Sequence, residues 1–465
     1  MNMINVRRLT VMTFLGASML SGISAQVSPL QVDTLKETKI PDQWDLQSCI
    51  DYAKEQNITT RKNRITAAST QIDVKTAKAA MFPSLSFSTG QQVVNRPYQE
   101  TSSRVSGSEI ISSNSKTSYN GNYGLNASWT LYNGNKRLKT IQQEKLNNQM
   151  AELDVATSEN NIQESIAQVY IQILYAAESV KVNENTLQVS IAQRDRGQEL
   201  LNAGSIAKSD LAQLEAQVST DRYQLVTAQA TLEDYKLQLK QLLELDGENE
   251  MNIYLPTLSD ENVLAPLPTK RDVYISALSL RPEIEASKLN VEASELGINI
   301  AKSSYFPTIS LSAGIGTNHT SGSDFTFGEQ VKNGWNNSIG LSVSVPIFNN
   351  RQTKSAVQKA KLQYETSMLS LLDEQKALYK TIESLWLDAN SAQQRYAAAN
   401  EKLKSTQISY ELISEQFNLG MKNTVELLTE KNNLLQAQQE QLQAKYMAIL
   451  NTQLLKFYQG DQLAL

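Results

Sequence analysis

The chain has 465 residues but only one Cys, one His and ten Pro. A single Cys and a single His cannot supply a Cys/His zinc cluster, a CxxC redox pair or an HExxH helix, so no cofactor or metal is expected. No disulfide can close within one chain. The 43 basic residues are outnumbered by 48 acidic ones, a net charge of −5 that argues against nucleic-acid binding. Nor is there a GxxxxGK[ST] phosphate loop. SxxK occurs twice, at Ser113 to Lys116 and Ser205 to Lys208, without a companion KTG, and one His leaves no plausible Ser-His-Asp triad. An enzyme is therefore not expected.

The prolines are absent from residues 98–255 and 347–465, which leaves long blocks free to run as helix. Beyond the N-terminus, no apolar stretch approaches the roughly 20 residues of a membrane-spanning helix. At the N-terminus Arg7 and Arg8 precede an apolar run from Leu9 to Leu20 and small residues through Ser24 and Ala25. This pattern predicts a secretory signal peptide over residues 1–25, with no Cys at the cleavage site to carry a lipid. Cys49 lies in an amphipathic helical stretch, where a buried thiol is expected.

What is present is written twice. Met81 Phe82 Pro83 Ser84 Leu85 Ser86 Phe87 Ser88 recurs as Tyr305 Phe306 Pro307 Thr308 Ile309 Ser310 Leu311 Ser312, at an offset of 224. Tyr132 Asn133 Gly134 recurs at Phe348 Asn349 Asn350, and Asn202 Ala203 Gly204 at Asn418 Leu419 Gly420, both at an offset of 216. The segment between the first two matches is thus 8 residues shorter in the second half, which places the length change in a loop. Ile162, Ile166, Val169, Ile173, Ala176, Val180 and Leu187 follow a 4-3 spacing, and so do their counterparts Leu378 through Leu403. That spacing predicts coiled-coil packing and one helix over residues 137–201, about 98 Å long. Asn-x-Gly ends each long helix at Gly204 and Gly420, and a new apolar period begins at once. Each half therefore reads as a long antiparallel helical hairpin with a Gly tip.

Between the helical parts the period falls to 2. Tyr119 through Leu131 and Ile339 through Ile347 place apolar residues on one face and small polar ones on the other. Shorter partner strands begin at Leu85 and Ile309. A soluble sandwich edge is the alternative, but four strands offer no second sheet to cover the oily face, so the pattern reads as outer-membrane barrel. Aromatics at Tyr119, Trp129, Trp335 and Phe348 suit an interfacial girdle. Four strands cannot close alone in lipid, so several chains are required, two giving 8 strands and three 12. Residues 95–118 and 317–334, rich in Ser, Gly and Asn, read as long outer loops, with His319 solvated in the second.

These features, with Trp44 Asp45 Leu46 Gln47 Ser48 Cys49 Ile50 Asp51 Tyr52 Ala53, the two Phe-Pro junctions and Leu280 Arg281 Pro282 Glu283 Ile284, resemble the TolC family of outer-membrane efflux and secretion channels. The resemblance covers nearly all of the chain beyond the leader. It implies a mainly α fold with a β-barrel contribution: a homotrimer with a 12-stranded barrel in outer-membrane lipid above a periplasmic helical tunnel. It also implies an equatorial region. The organisation expected is signal peptide 1–25, first repeat 26–245, equatorial linker 246–280, second repeat 281–460 and a short tail 461–465. The implied function is an exit duct served by an inner-membrane transporter and a periplasmic adaptor protein. The rival reading is a coiled-coil adaptor, which should show one hairpin and an inner-membrane anchor.

By the same resemblance the pore would close at the second tip. Glu426 matches a constriction carboxylate and Thr429 falls where some members carry a second, so three copies of Glu426 would form a weakened anionic ring. Asn423 and Glu426 also have capping-box spacing, and both roles can coexist. Lys422 either ties the tips by ion pairing or is solvated, and Asp210 faces the dipole of a first helical turn. Asn202, Gly204, Asn418 and Gly420 resemble the tip surface that adaptors grip.

Overall fold

The computed structural model describes residues 41–98, 102–106, 109–113, 116–246, 251–256, 263–321, 323 and 325–463. The expected signal peptide lies outside them. In chain order the elements are α1 (Leu46–Gln56), α2 (Ile58–Ala79), β1 (Ser84–Asn95), β2 (Ser102–Ser106), β3 (Glu109–Ser113), β4 (Thr117–Asn133), α3 (Lys136–Asn202) and α4 (Lys208–Leu242). After them come α5 (Lys270–Leu280), α6 (Pro282–Ser303), β5 (Thr308–Thr320), α7 (Phe327–Asn333), β6 (Asn336–Ser344), α8 (Gln352–Asn418) and α9 (Thr424–Gln459).

Helices α3 and α8 are each 67 residues long, about 100 Å at 1.5 Å per residue. Both start from paired left-handed residues: Gly134 and Asn135 in the first half, Asn350 and Arg351 in the second. Each long helix turns back at its Gly tip into a return helix, as expected. The return helices α4 and α9 have only 35 and 36 residues, half the length of their partners. The barrel-proximal halves of α3 and α8 are covered instead by α2 and α6, 22 residues each. Gln143 Nε2 donates to the Ala293 carbonyl at 3.0 Å, and Ser294 and Ser367 hydroxyls meet at 2.8 Å, tying α6 between the two long helices.

The segment expected as linker and equatorial region, 246–280, contains a helix at its end. Residues 270–280 form helix α5, because Thr269 caps its first turn by accepting from Asp272 N, and Pro282 opens the next helix. It is the counterpart of α1.

The core concentrates where α1, α3, α4 and α9 meet. Ile166, Ile173, Leu239 and Leu243 are fully or almost fully buried there, and so is Cys49, whose thiol burial pushes up to about 12. That thiol is inert at neutral pH. A smaller cluster around Ala277, Ile284, Ile382 and Leu455 repeats the arrangement in the second half.

Strands β1, β4, β5 and β6 form one antiparallel sheet in that order. Leu85, Ala127, Ala313 and Ile339 lie side by side on one face, and Ser86, Asn126, Gly314 and Ser338 on the other. The apolar face is bare: Leu85 is 70% exposed, Ile339 83% and Leu341 64%. Strand β5, 13 residues, extends about 43 Å, enough when tilted to cross an apolar band of about 25 Å. Among the described residues no helix is long and apolar enough to cross a membrane.

Three strand and loop expectations change. Strand β6 stops at Ser344, leaving Val345 and Ile347 beyond it, since Pro346 has no N–H to continue a ladder. The outer connections are not irregular: β2 pairs with β3 in a hairpin, and α7 starts from a Thr326/Glu329 capping box. His319 is not solvated. It lies in β5, 9% exposed, stacked on Tyr123 at 5.9 Å and edge-on to Phe327 at 5.0 Å. Its cross-strand partner is Gly121, where any Cβ would collide with the imidazole.

The bare face yields a direct test. Leu341→Arg should cost about 2–4 kcal/mol in vesicles, while Ser342→Arg, one residue along on the polar face, should cost well under 1 kcal/mol. Denaturant unfolding in lipid reads both; equal costs would mean the faces are misassigned.

Candidate pore tip

The far end of the helical body is made by two tight turns. Each long helix closes with Gly at a left-handed φ, +75° at Gly204 and +74° at Gly420. Ser205 N donates to Leu200 O at 2.8 Å and Gly204 N to Leu201 O at 2.9 Å; Met421 N and Gly420 N bond Gln416 O and Phe417 O at the same distances. Both are Schellman closures, which need a residue that tolerates positive φ. Asn202 and Asn418 are the last helical residues, exposed at the turns.

The return helix of the second tip begins with a complete capping box. Asn423 Oδ1 accepts from Glu426 N at 2.9 Å and Glu426 Oε2 accepts from Asn423 N at 3.2 Å. Lys422 Nζ donates to the other carboxylate oxygen, Oε1, at 2.7 Å. The Lys422 ammonium and then the Asn423 N–H hold the Glu426 carboxyl below the usual carboxylate range. One chain therefore presents an ion pair at this turn rather than a lone carboxylate. Thr429 Oγ1 donates back to Val425 O at 2.8 Å and is exposed. At the first tip Asp210 accepts from Ala207 N at 3.0 Å.

Two polar clusters that drew no role from the sequence join the repeats. Lys431, Asp221 and Ser190, from α9, α4 and α3, are mutually hydrogen bonded and buried, Lys431 4% and Asp221 1% exposed in their side chains. Gln217 Nε2 adds a bond to Asp221 Oδ1 at 2.8 Å. Burial pulls the Lys431 ammonium below the usual lysine value, with Asp221 opposing. Toward the tip, Leu214, Phe417 and Leu427 close the same seam with apolar contacts. The signal was available: Asp221 stands seven residues after Leu214, and Lys431 four after Leu427, both in core positions of the heptad. At the equator Arg281 Nη2 donates to Glu164 Oε1 at 2.6 Å, its guanidinium 3.6 Å over the Tyr458 ring. Among the described residues no group of three or more His, Cys, Asp or Glu is placed to hold a metal.

Two long hairpins joined to a bare four-stranded sheet is a distinctive order of parts, and a profile of the outer membrane efflux protein family matches residues 50–244 and 273–460. This chain belongs to that family. The two matched segments fall one on each half of the duplicated fold. The outer membrane efflux protein BepC of Brucella suis is 24% identical over 294 residues, 63% of this chain and 61% of its own length. The outer membrane protein TolC of Escherichia coli is 24% identical over 296 residues, 61% of this chain and 58% of its own. The match thus spans about three fifths of these relatives. In solved structures the chain resembles CusC, with a TM-score of 0.76 at 19% identity over 90% of this chain and 92% of that one. VceC of Vibrio cholerae gives a TM-score of 0.73 at 15% identity over 90% and 97%. These likenesses establish the efflux-channel fold, and an outer-membrane location accounts for the bare apolar face.

Proposed function

We propose that three copies of this chain assemble into an outer-membrane exit duct, recruited by a periplasmic adaptor protein and an inner-membrane transporter, through which exported solutes or secreted polypeptides pass. The observation that carries the reading is the sheet: apolar on one face, polar on the other, with β1 and β6 as unpaired edges. Open edges are not tolerated in lipid. An even number of antiparallel strands lets the β6 edge of one copy meet the β1 edge of the next in alternating direction, so copies close into a barrel. Three copies give 12 strands. At the second tip the exposed Leu419 and Met421 beside Gly420 offer an apolar surface for an adaptor. The adaptor reading of the chain itself is disfavoured by its two hairpins and its lipid-facing sheet.

In this duct Lys422 and Glu426 line the narrowest turn, with Thr429 one turn further in. Planar-bilayer recordings test it. Glu426→Gln keeps an N3 side chain able to cap Asn423 but leaves Lys422 unpaired, so cation preference should fall toward anion preference and divalent block should weaken. Lys422→Gln should shift selectivity the other way. Unchanged selectivity in both variants would leave these residues a capping role only, and no conductance even from tip-destabilised protein would defeat the duct.

A further inference from the structure

The wall of the barrel carries no charge. Strands β1, β4, β5 and β6 contain no Asp, Glu, Lys or Arg on either face. The polar face is built of Ser, Thr, Asn, Gln and Gly, Val94 at the outer end excepted, so it offers hydroxyl and amide hydrogen bonds from short side chains. Charges stand only beyond the strand ends. Arg96 and Lys116 flank the outer ends of β1 and β4, and Glu329 and Lys332 lie on α7. Arg137 at the inner end spends its guanidinium on the carbonyls of Ala80 and Thr130. From Ser88 to Arg96 the strand runs roughly 26 Å at about 3.3 Å per residue. That is about three Debye lengths at physiological salt, so fields from the outer end are screened out at mid-wall.

Channel selectivity is set by rings of charged side chains lining the passage or by a dehydrating filter. A wide wall of neutral hydrogen-bonding groups supplies neither. Resting on the exit-duct reading, we propose that the barrel is charge-blind: it admits cationic and anionic cargo alike, and all selection by charge is made before cargo reaches the membrane.

Single cysteines in the wall read the local potential. Ser88→Cys and Ser312→Cys are exposed polar-face positions on β1 and β5, and the native Cys49 is buried and silent. Each variant, reconstituted in liposomes at physiological salt, is treated from outside with trimethylammonium-ethyl or sulfonato-ethyl methanethiosulfonate. The cation-to-anion rate ratio is compared with that of a free small thiol; the protein thiol's own reactivity cancels in the ratio. The expected ratio at both positions is within about twofold of the free thiol. A departure of about tenfold in either direction at either position overturns charge-blindness while leaving the duct in place. Failure of both reagents to label either position in the inserted protein would mean that the polar face is not a water-filled lumen, and the duct reading would fall with the proposal.

Discussion

Asp221→Leu is expected to cost about 3–5 kcal/mol, because it leaves the Lys431 ammonium buried without its counter-ion. Lys431 and Asp221 are 4% and 1% exposed in their side chains, with Ser190 bonded to both. The double variant Asp221→Leu/Lys431→Met removes both charges together and should recover most of the loss, since an intact buried pair contributes little net stability over an apolar replacement. The same comparison at Lys422 and Glu426, with side chains 33% and 41% exposed, should move stability far less, because water screens an exposed pair. Hydrogen exchange of α4 and α9 near the tip measures both; an Asp221→Leu effect under 1 kcal/mol would show that Lys431 finds water or another partner. A pH dependence follows. Folded Lys431 holds its proton less tightly than the ordinary lysine value of 10.5, so at alkaline pH the unfolded chain binds more protons and stability rises with pH. Asp221→Leu removes the opposing influence and should steepen that rise.

Arg281→Met is expected to destabilise the equator by about 3–5 kcal/mol for the same reason, with Glu164 as the charge left behind. Arg281 is 6% exposed and bonds Glu164 at 2.6 Å. Its guanidinium lies 3.6 Å over Tyr458 and 5.0 Å over Phe457, a desolvated cation–π stack worth up to about 2 kcal/mol. Arg281→Lys keeps the charge and loses the planar stack, so it should fall between the two. Tyr458, whose hydroxyl is pushed up to about 12 chiefly by burial, stays neutral throughout. Denaturant unfolding monitored at Tyr and Trp fluorescence ranks the variants; Arg281→Met within 1 kcal/mol of wild type would mean that the stack and pair are incidental.

Arg281 also shows how the two copies of the repeat have diverged. Its counterpart at the offset of 224 is Asn57, which caps α2 through Thr59 N and donates to Leu242 O at 3.3 Å. In the first half the junction is a capped helix start held to a carbonyl; in the second it is an ion pair reaching into the first half. The shared Pro-flanked and Asn-Gly signals made the duplication visible, but nothing local in Arg281 announced Glu164, 117 residues away.

The tip was legible to a similar depth. Asn423 and Glu426 are three residues apart, so their capping box could be read from spacing, and the Gly204 and Gly420 turns from Asn-x-Gly. Lys422 and Glu426 are one helical turn apart, yet whether they pair or face separate partners depended on the chain's path through the cap. His319 was misread because composition marks its surroundings as loop. Only pairing with β4 opposite Gly121 extends β5 that far and gives the imidazole a pocket.

By itself the sequence determined what repeats at short range: the 3.5-residue helical period, the alternation of the strands, the turns, the duplication, and the neutrality of the barrel wall. Those properties follow from side-chain geometry within a few residues. Tertiary structure decided the pairings that join distant segments, such as Lys431 with Ser190 across 241 residues and Asp221 across 210. Removing such charged groups from water costs free energy, which is offset only when the partners meet in the packed structure. A heptad position can show that a charge will be buried; only the packed helices show with what.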